Sequence, residues 1–211
     1  MYIHYLVGKI LCELSQRDFS TFEQQHLSNV VWAYARAEQS PTVLFDKCAK
    51  EVVKRNAAGE EFSPQVLTNL AWSFTTARIG DESLFKTVAA QIDTRSHLRA
   101  FKPQELANLV WAFAASAMFY TPLAVKLFDK VAVDMSSDKN GYKAFSPHHM
   151  SIIAWSFGKQ LTKLLSMCLI IKPNLFTHLE TLSGSKCTRS KTIQYIFHKC
   201  SNGQDGWLLS S

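Results

Sequence analysis

The chain is poor in the residues that punctuate a fold. Eight glycines and six prolines in 211 residues are too few for the many tight reversals of an all-β sandwich. No stretch reaches the roughly 18 apolar residues of a membrane-spanning helix. The most apolar segment, 164–171, is interrupted by Ser166 and followed by Lys172, so no membrane partner is expected. The five cysteines form no CxxC pair and share no common spacing, which argues against a disulfide framework and for a reducing compartment. Cys187, His198 and Cys200 make a partial zinc set that lacks an evident fourth ligand. No glycine-rich phosphate loop, nucleophile–base set or paired metal ligands occur, so no catalysis, cofactor or small-molecule substrate is expected. The opening MYIHYLVGKILCEL lacks an Arg- and Ser-rich leader composition and a small-residue cleavage site. Either the chain has no targeting segment or it is a piece of a longer one.

What is abundant is apolar and aromatic. Hydrophobic residues make up 47% and aromatics 12%, a globular composition rather than a disordered one. The formal charge of +6 permits an acidic partner such as nucleic acid without requiring one.

The aromatics are periodic. Trp32, Trp72, Trp111 and Trp155 stand 40, 39 and 44 residues apart. Ten residues before each is Phe22, Phe62, Phe101 or Phe145, five before is Leu27, Leu67, Leu106 or Met150, and two after is Tyr34, Phe74, Phe113 or Phe157. The second and third stretches, FSPQVLTNLAWSF and FKPQELANLVWAF, share 8 of 13 residues. A fixed period of this length marks stacked supersecondary units.

Each stretch reads as the start of a helix, here helix A. Pro64, Pro103 and Pro147 suit a first turn, where the missing N–H has no intrahelical acceptor, and Ser63 and Ser146 precede two of them as N-caps. Leu106, Val110, Phe113 and Ala117 recur at helical spacing. The tryptophans lie beside this stripe and are expected in the core. A second helix, B, follows from Pro41, Asp81 and Thr121, with Phe45, Phe85 and Phe128 at similar places. Short polar turns at 56–61, 94–99 and 136–143 separate the units. The expected fold is all-α: an α-solenoid over residues 1–182. It comprises a partial unit at 1–18, which resembles a helix B, and units at 19–59, 60–99, 100–143 and 144–182. The fourth unit loses the pattern after Phe157, where Gly158 interrupts it, and 173–176 is its candidate helix B. Residues 183–211 fit no repeat and read as an irregular tail. Neither end has the polar outer face of a capping unit, as expected of a fragment or a chain with a wrong C-terminal segment.

One column of helix A is polar. Three residues after each phenylalanine stand Gln25, Gln65, Gln104 and His148; seven after stand Asn29, Asn69, Asn108 and Ile152. Positions i and i+4 share a helix face, so three units present a Gln–Asn pair at one angular position. Amides carry both donor and acceptor and suit base edges, as in helical repeats that read RNA base by base. Alternatively, the asparagines tie helix A to a neighbouring unit, because asparagine inside a helix needs a partner. Lys47 and Lys54 on the first helix B, and Lys126 and Lys130 on the third, are candidate phosphate contacts. Interleaved Asp46, Glu51 and Asp129 leave a plain solvated face as the other reading.

The runs Phe62-Ser-Pro-Gln-Val-Leu-Thr-Asn-Leu-Ala-Trp72 and Phe101-Lys-Pro-Gln-Glu-Leu-Ala-Asn-Leu-Val-Trp111, each followed by a helix containing Leu-Phe or its like, resemble a known group. They are similar to the octotricopeptide-type and FAST-kinase-like organellar RNA-binding repeats, and to the helical-repeat subunits of RNA-editing substrate-binding complexes. The resemblance covers roughly 19–182. It implies an α-solenoid that binds single-stranded RNA in a mitochondrion or plastid, alone or with other proteins of an RNA-processing complex, and supports RNA processing, stability or translation. Many such proteins end in a RAP domain; nothing after residue 183 resembles one. A protein-interaction scaffold of the same architecture is the alternative.

Overall fold

The computed structural model describes residues 2–95, 98–116, 118, 121–137 and 145–171. The expected helix B at 173–176, the tail at 183–211 and the partial zinc set lie outside them. The described residues form eight α-helices and a short 3-10 turn, with no strand among them. The helices are α1 (Tyr2–Gln16), α2 (Gln24–Arg36), α3 (Thr42–Ala57), α4 (Pro64–Thr76), α5 (Glu82–Asp93), α6 (Pro103–Ala115), α7 (Pro122–Ser137) and α8 (Pro147–Ile171).

The helices begin where the local chemistry dictates. Ser63 accepts from the Val66 N–H at 3.3 Å and Ser146 from the His149 N–H at 3.2 Å. Asp81 caps α5 through Leu84 N–H at 2.8 Å, and Thr121 caps α7 through Ala124 N–H at 3.2 Å. Helices α2 and α4 end in the left-handed region at Glu38 (φ 56°) and Arg78 (φ 58°). In each case the next N–H reaches back to close the turn, Gln39 to Tyr34 O and Ile79 to Phe74 O, both at 2.9 Å. A side chain in that conformation costs about 1–2 kcal/mol relative to one in the right-handed region. Arg78→Gly is therefore expected to stabilise the chain by roughly 0.5–1 kcal/mol, less glycine's own unfolded-state entropy, read as a raised urea midpoint with unchanged slope.

Helices α2, α4, α6 and α8 pack side by side in one row; α1, α3, α5 and α7 pack in a second. Each hairpin joins the rows: α2 with α3, α4 with α5, α6 with α7. The core lies between them. Leu27, Leu67 and Leu106, then Val31, Ala71 and Val110, are buried at matching positions. The aromatic two residues past each tryptophan meets the phenylalanine of the preceding helix in the second row, edge to face: Phe45–Phe74 at 4.9 Å, Phe85–Phe113 at 5.2 Å and Phe128–Phe157 at 4.9 Å. In the first unit the hydroxyl of Tyr34 donates to Val7 O of α1 at 3.4 Å. Helix α1 also packs against α3.

Polar staples repeat too. Arg55 donates from Nη2 to the carbonyls of Phe19, Ser20 and Phe22, the last at 2.6 Å, and from Nε to Glu51 at 2.7 Å. Arg95 donates to Phe62 O at 2.6 Å. Each arginine lies 33 residues after the phenylalanine whose carbonyl it holds, so both perform one job in successive units. Gln91 completes the second staple by accepting from Phe62 N–H at 3.2 Å and donating to Asn56 Oδ1 and Glu60 O, both at 2.8 Å.

The repeat pattern ends at Gly158 but the helix does not: α8 runs through it from Pro147 to Ile171. Glycine inside a helix costs only about 1 kcal/mol, and Ile153 and Phe157 anchor α8 against the core on the preceding turns.

Candidate nucleic-acid interface

Successive helical residues are about 100° apart. Counted from each phenylalanine, positions 3, 7, 10 and 14 therefore fall within about 60° of one another, opposite positions 5, 9 and 12, which are apolar. The strip on α2 is Gln25, Asn29, Trp32 and Arg36; on α4 it is Gln65, Asn69, Trp72 and Thr76; on α6, Gln104, Asn108, Trp111 and Ala115; on α8, His148, Ile152, Trp155 and Lys159. None of these sixteen residues is buried. Since the four helices form one row, the strips lie side by side.

The tryptophans flank the core rather than fill it. Trp32 and Trp155 are each 42% exposed, and Trp72 and Trp111 are half-buried and pack against the core. The Trp32 and Trp72 rings stand 6.4 Å apart with a 35° tilt. Lys159 Nζ lies over the Trp155 ring at 5.1 Å. The spacing alone contained this result: position 10 belongs with the amides, not with position 12.

The amides are placed side by side on the helix as expected. Gln25 Nε2 donates to Asn29 Oδ1 at 3.0 Å. The bonds that tie one unit to the next come from other residues: Gln24 Oε1 accepts from Ser63 N–H at 2.8 Å, and the hydroxyls of Thr68 and Thr75 donate to Glu105 O at 3.3 Å and Ala112 O at 3.0 Å. The side chains of Asn69 and Asn108 make no hydrogen bond among the described residues. His148 is exposed beside His149, ring to ring at 6.2 Å.

The four lysines stand apart from this column, on α3 and α7 of the second row. Lys47 donates to the carbonyls of Ser15 and Arg17 at the end of α1. Lys130 donates to Asp93 O at 2.9 Å at the end of α5. Both satisfy carbonyls that a helix terminus leaves open. Lys54 is 71% exposed and 3.7 Å from Glu51, and Lys126 is exposed. The cations in the strip itself are instead Arg36 and Lys159; Arg78 is exposed just past the end of α4. Arg36 and Lys159 share position 14, a coincidence visible only once the strips are aligned.

No known protein family, curated protein or solved structure matches the chain.

Proposed function

We propose that the chain is an α-solenoid of two-helix repeats that binds single-stranded RNA along the row of A helices. The observation that carries this reading is the partly exposed strip repeated on four adjacent helices, with amides at Gln25, Asn29, Gln65, Asn69, Gln104 and Asn108, and His148 in the same column. A solenoid uses such a row as an extended binding surface. Amides left without tertiary partners are available to base edges. Arg36, Arg78 and Lys159 supply phosphate contacts. Lys54 and Lys126 would reach only a strand that crosses to the second row, and Lys47 and Lys130 are held by carbonyls. Placement in a mitochondrion or plastid, and a part in RNA processing, stability or translation, rest on the resemblance of the repeat.

A gel-shift series with single-stranded RNA tests the reading. Three phosphate contacts give a log–log slope of roughly −2 on a single strand, so affinity is expected to fall about fourfold per doubling of salt. No binding at low salt, or binding indifferent to salt, would sink the proposal.

One observation favours a protein partner instead. The second row exposes apolar side chains, Val43 at 51% and Val133 at 66%, and two of its lysines are engaged. A scaffold would retain a defined protein after nuclease treatment, with Val43→Asp or Val133→Asp releasing it.

A further inference from the structure

The tryptophans of adjacent units are spaced unlike the aromatic pairs of the core. Core pairs meet at 4.9–5.2 Å with planes 72–83° apart, the edge-to-face geometry of rings packed on one another. Trp32 and Trp72 are 6.4 Å apart and tilted by 35°. Their planes are closer to parallel, and their centres are farther apart. Stacked bases repeat at about 3.4 Å along a strand, so a base between two rings needs them about 7 Å apart. At 6.4 Å between centroids and tilted by 35°, the two indoles must separate slightly and level to admit one.

We propose that Trp32 and Trp72 form a slot that takes one unpaired nucleobase between their indoles. The inference rests on the RNA-binding reading above and adds the mode of contact. Opening the slot requires the tilt to level. Trp32 can turn because it is 42% exposed, while Trp72 is held on one side by the core. The slot is bordered by polar groups: Asn29 and Asn69 stand three residues before the two tryptophans, one turn away on the same strip. The Asn69 amide has no partner among the described residues and can donate and accept at a base edge. Arg36, one turn beyond Trp32 and exposed, is placed for the adjoining phosphate. At the far end of the row, Lys159 already covers a face of Trp155, whereas Trp32 is both exposed and set against a second indole, which makes the first two units the place for insertion. A base has a π-face whatever its identity, so the slot tolerates sequence and demands a single strand.

The test compares a short oligouridylate, the same sequence as a duplex with its complement, and an abasic ribose-phosphate chain of equal length. The full chain carries Trp207→Phe to remove the emission of the fifth tryptophan. Single-stranded RNA is expected to quench tryptophan emission; the duplex and abasic chains are not. Trp32→Ala is expected to weaken binding of the oligouridylate about tenfold, within the range for losing one stacked base, and to leave abasic binding unchanged, while Trp32→Phe restores most of the loss. Circular dichroism confirms that each variant is folded. Equal affinity for oligouridylate and abasic chain, or unquenched emission on saturation with oligouridylate, overturns the slot while salt-dependent RNA binding stands. Failure of all three ligands to bind overturns the slot together with the RNA reading.

Discussion

Phe74→Ala is expected to cost about 3–5 kcal/mol, a large share of an ordinary domain stability of about 5–15 kcal/mol. Phe74 is fully buried and meets Phe45 edge to face at 4.9 Å. It sits where one A helix, its neighbour and a B helix converge, so the void left by the ring cannot collapse without moving a row. The neighbouring variant Trp72→Ala, two residues earlier, removes a larger side chain from a half-buried site and is expected to cost less. Urea unfolding of both variants decides between them: a larger loss for Trp72→Ala would mean that the tryptophan, not the phenylalanine, is the core aromatic.

Arg55→Ala is expected to cost about 3 kcal/mol, and Arg95→Ala about half of that. Arg55 holds three carbonyls around the 3-10 turn and pairs with Glu51, with only 13% and 11% of the two side chains exposed. Its removal leaves the Glu51 charge and several carbonyls without their donor; Lys54, at 3.7 Å, offsets part of the charge. Arg95 holds one carbonyl. Arg55→Lys recovers little, because an ammonium lacks the fork that reaches a carboxylate and carbonyls at once. The pair is largely sheltered from solvent, so the loss should persist in high salt, unlike that of a surface ion pair. Thermal melts at low and high ionic strength check both the size and the salt independence.

The all-helical fold is legible in the sequence because large apolar residues recur at helical spacing. Proline, serine and aspartate at helix starts made several N-termini visible, since capping is a local matter of a few residues. Less legible was anything set by the partner row. The tryptophans looked like core because they are large and apolar, yet their angle places them with Gln and Asn; bulk was read where phase decides. The lysines looked alike in sequence, but Lys47 and Lys130 are committed to the ends of α1 and α5, helices some 30 residues away. The staples of Arg55 and Arg95 escaped for the same reason: each spans 33 residues, a distance at which sequence spacing carries no geometry until the hairpin is folded. Gly158 shows the converse. The repeat pattern stops there while the helix continues, because a weak propensity yields to burial of flanking residues.

The proposed path of RNA runs along the row of A helices. Ultraviolet crosslinking of bound single-stranded RNA, with the attached peptides identified by mass spectrometry, tests it directly. Crosslinks are expected in peptides from α2, α4 and α6, centred on Trp32, Trp72 and Trp111 and on the amides one turn before them. Crosslinks confined to α3, α5 and α7, on the face that carries Lys54 and Lys126, would contradict the claim and move the binding surface to the other row.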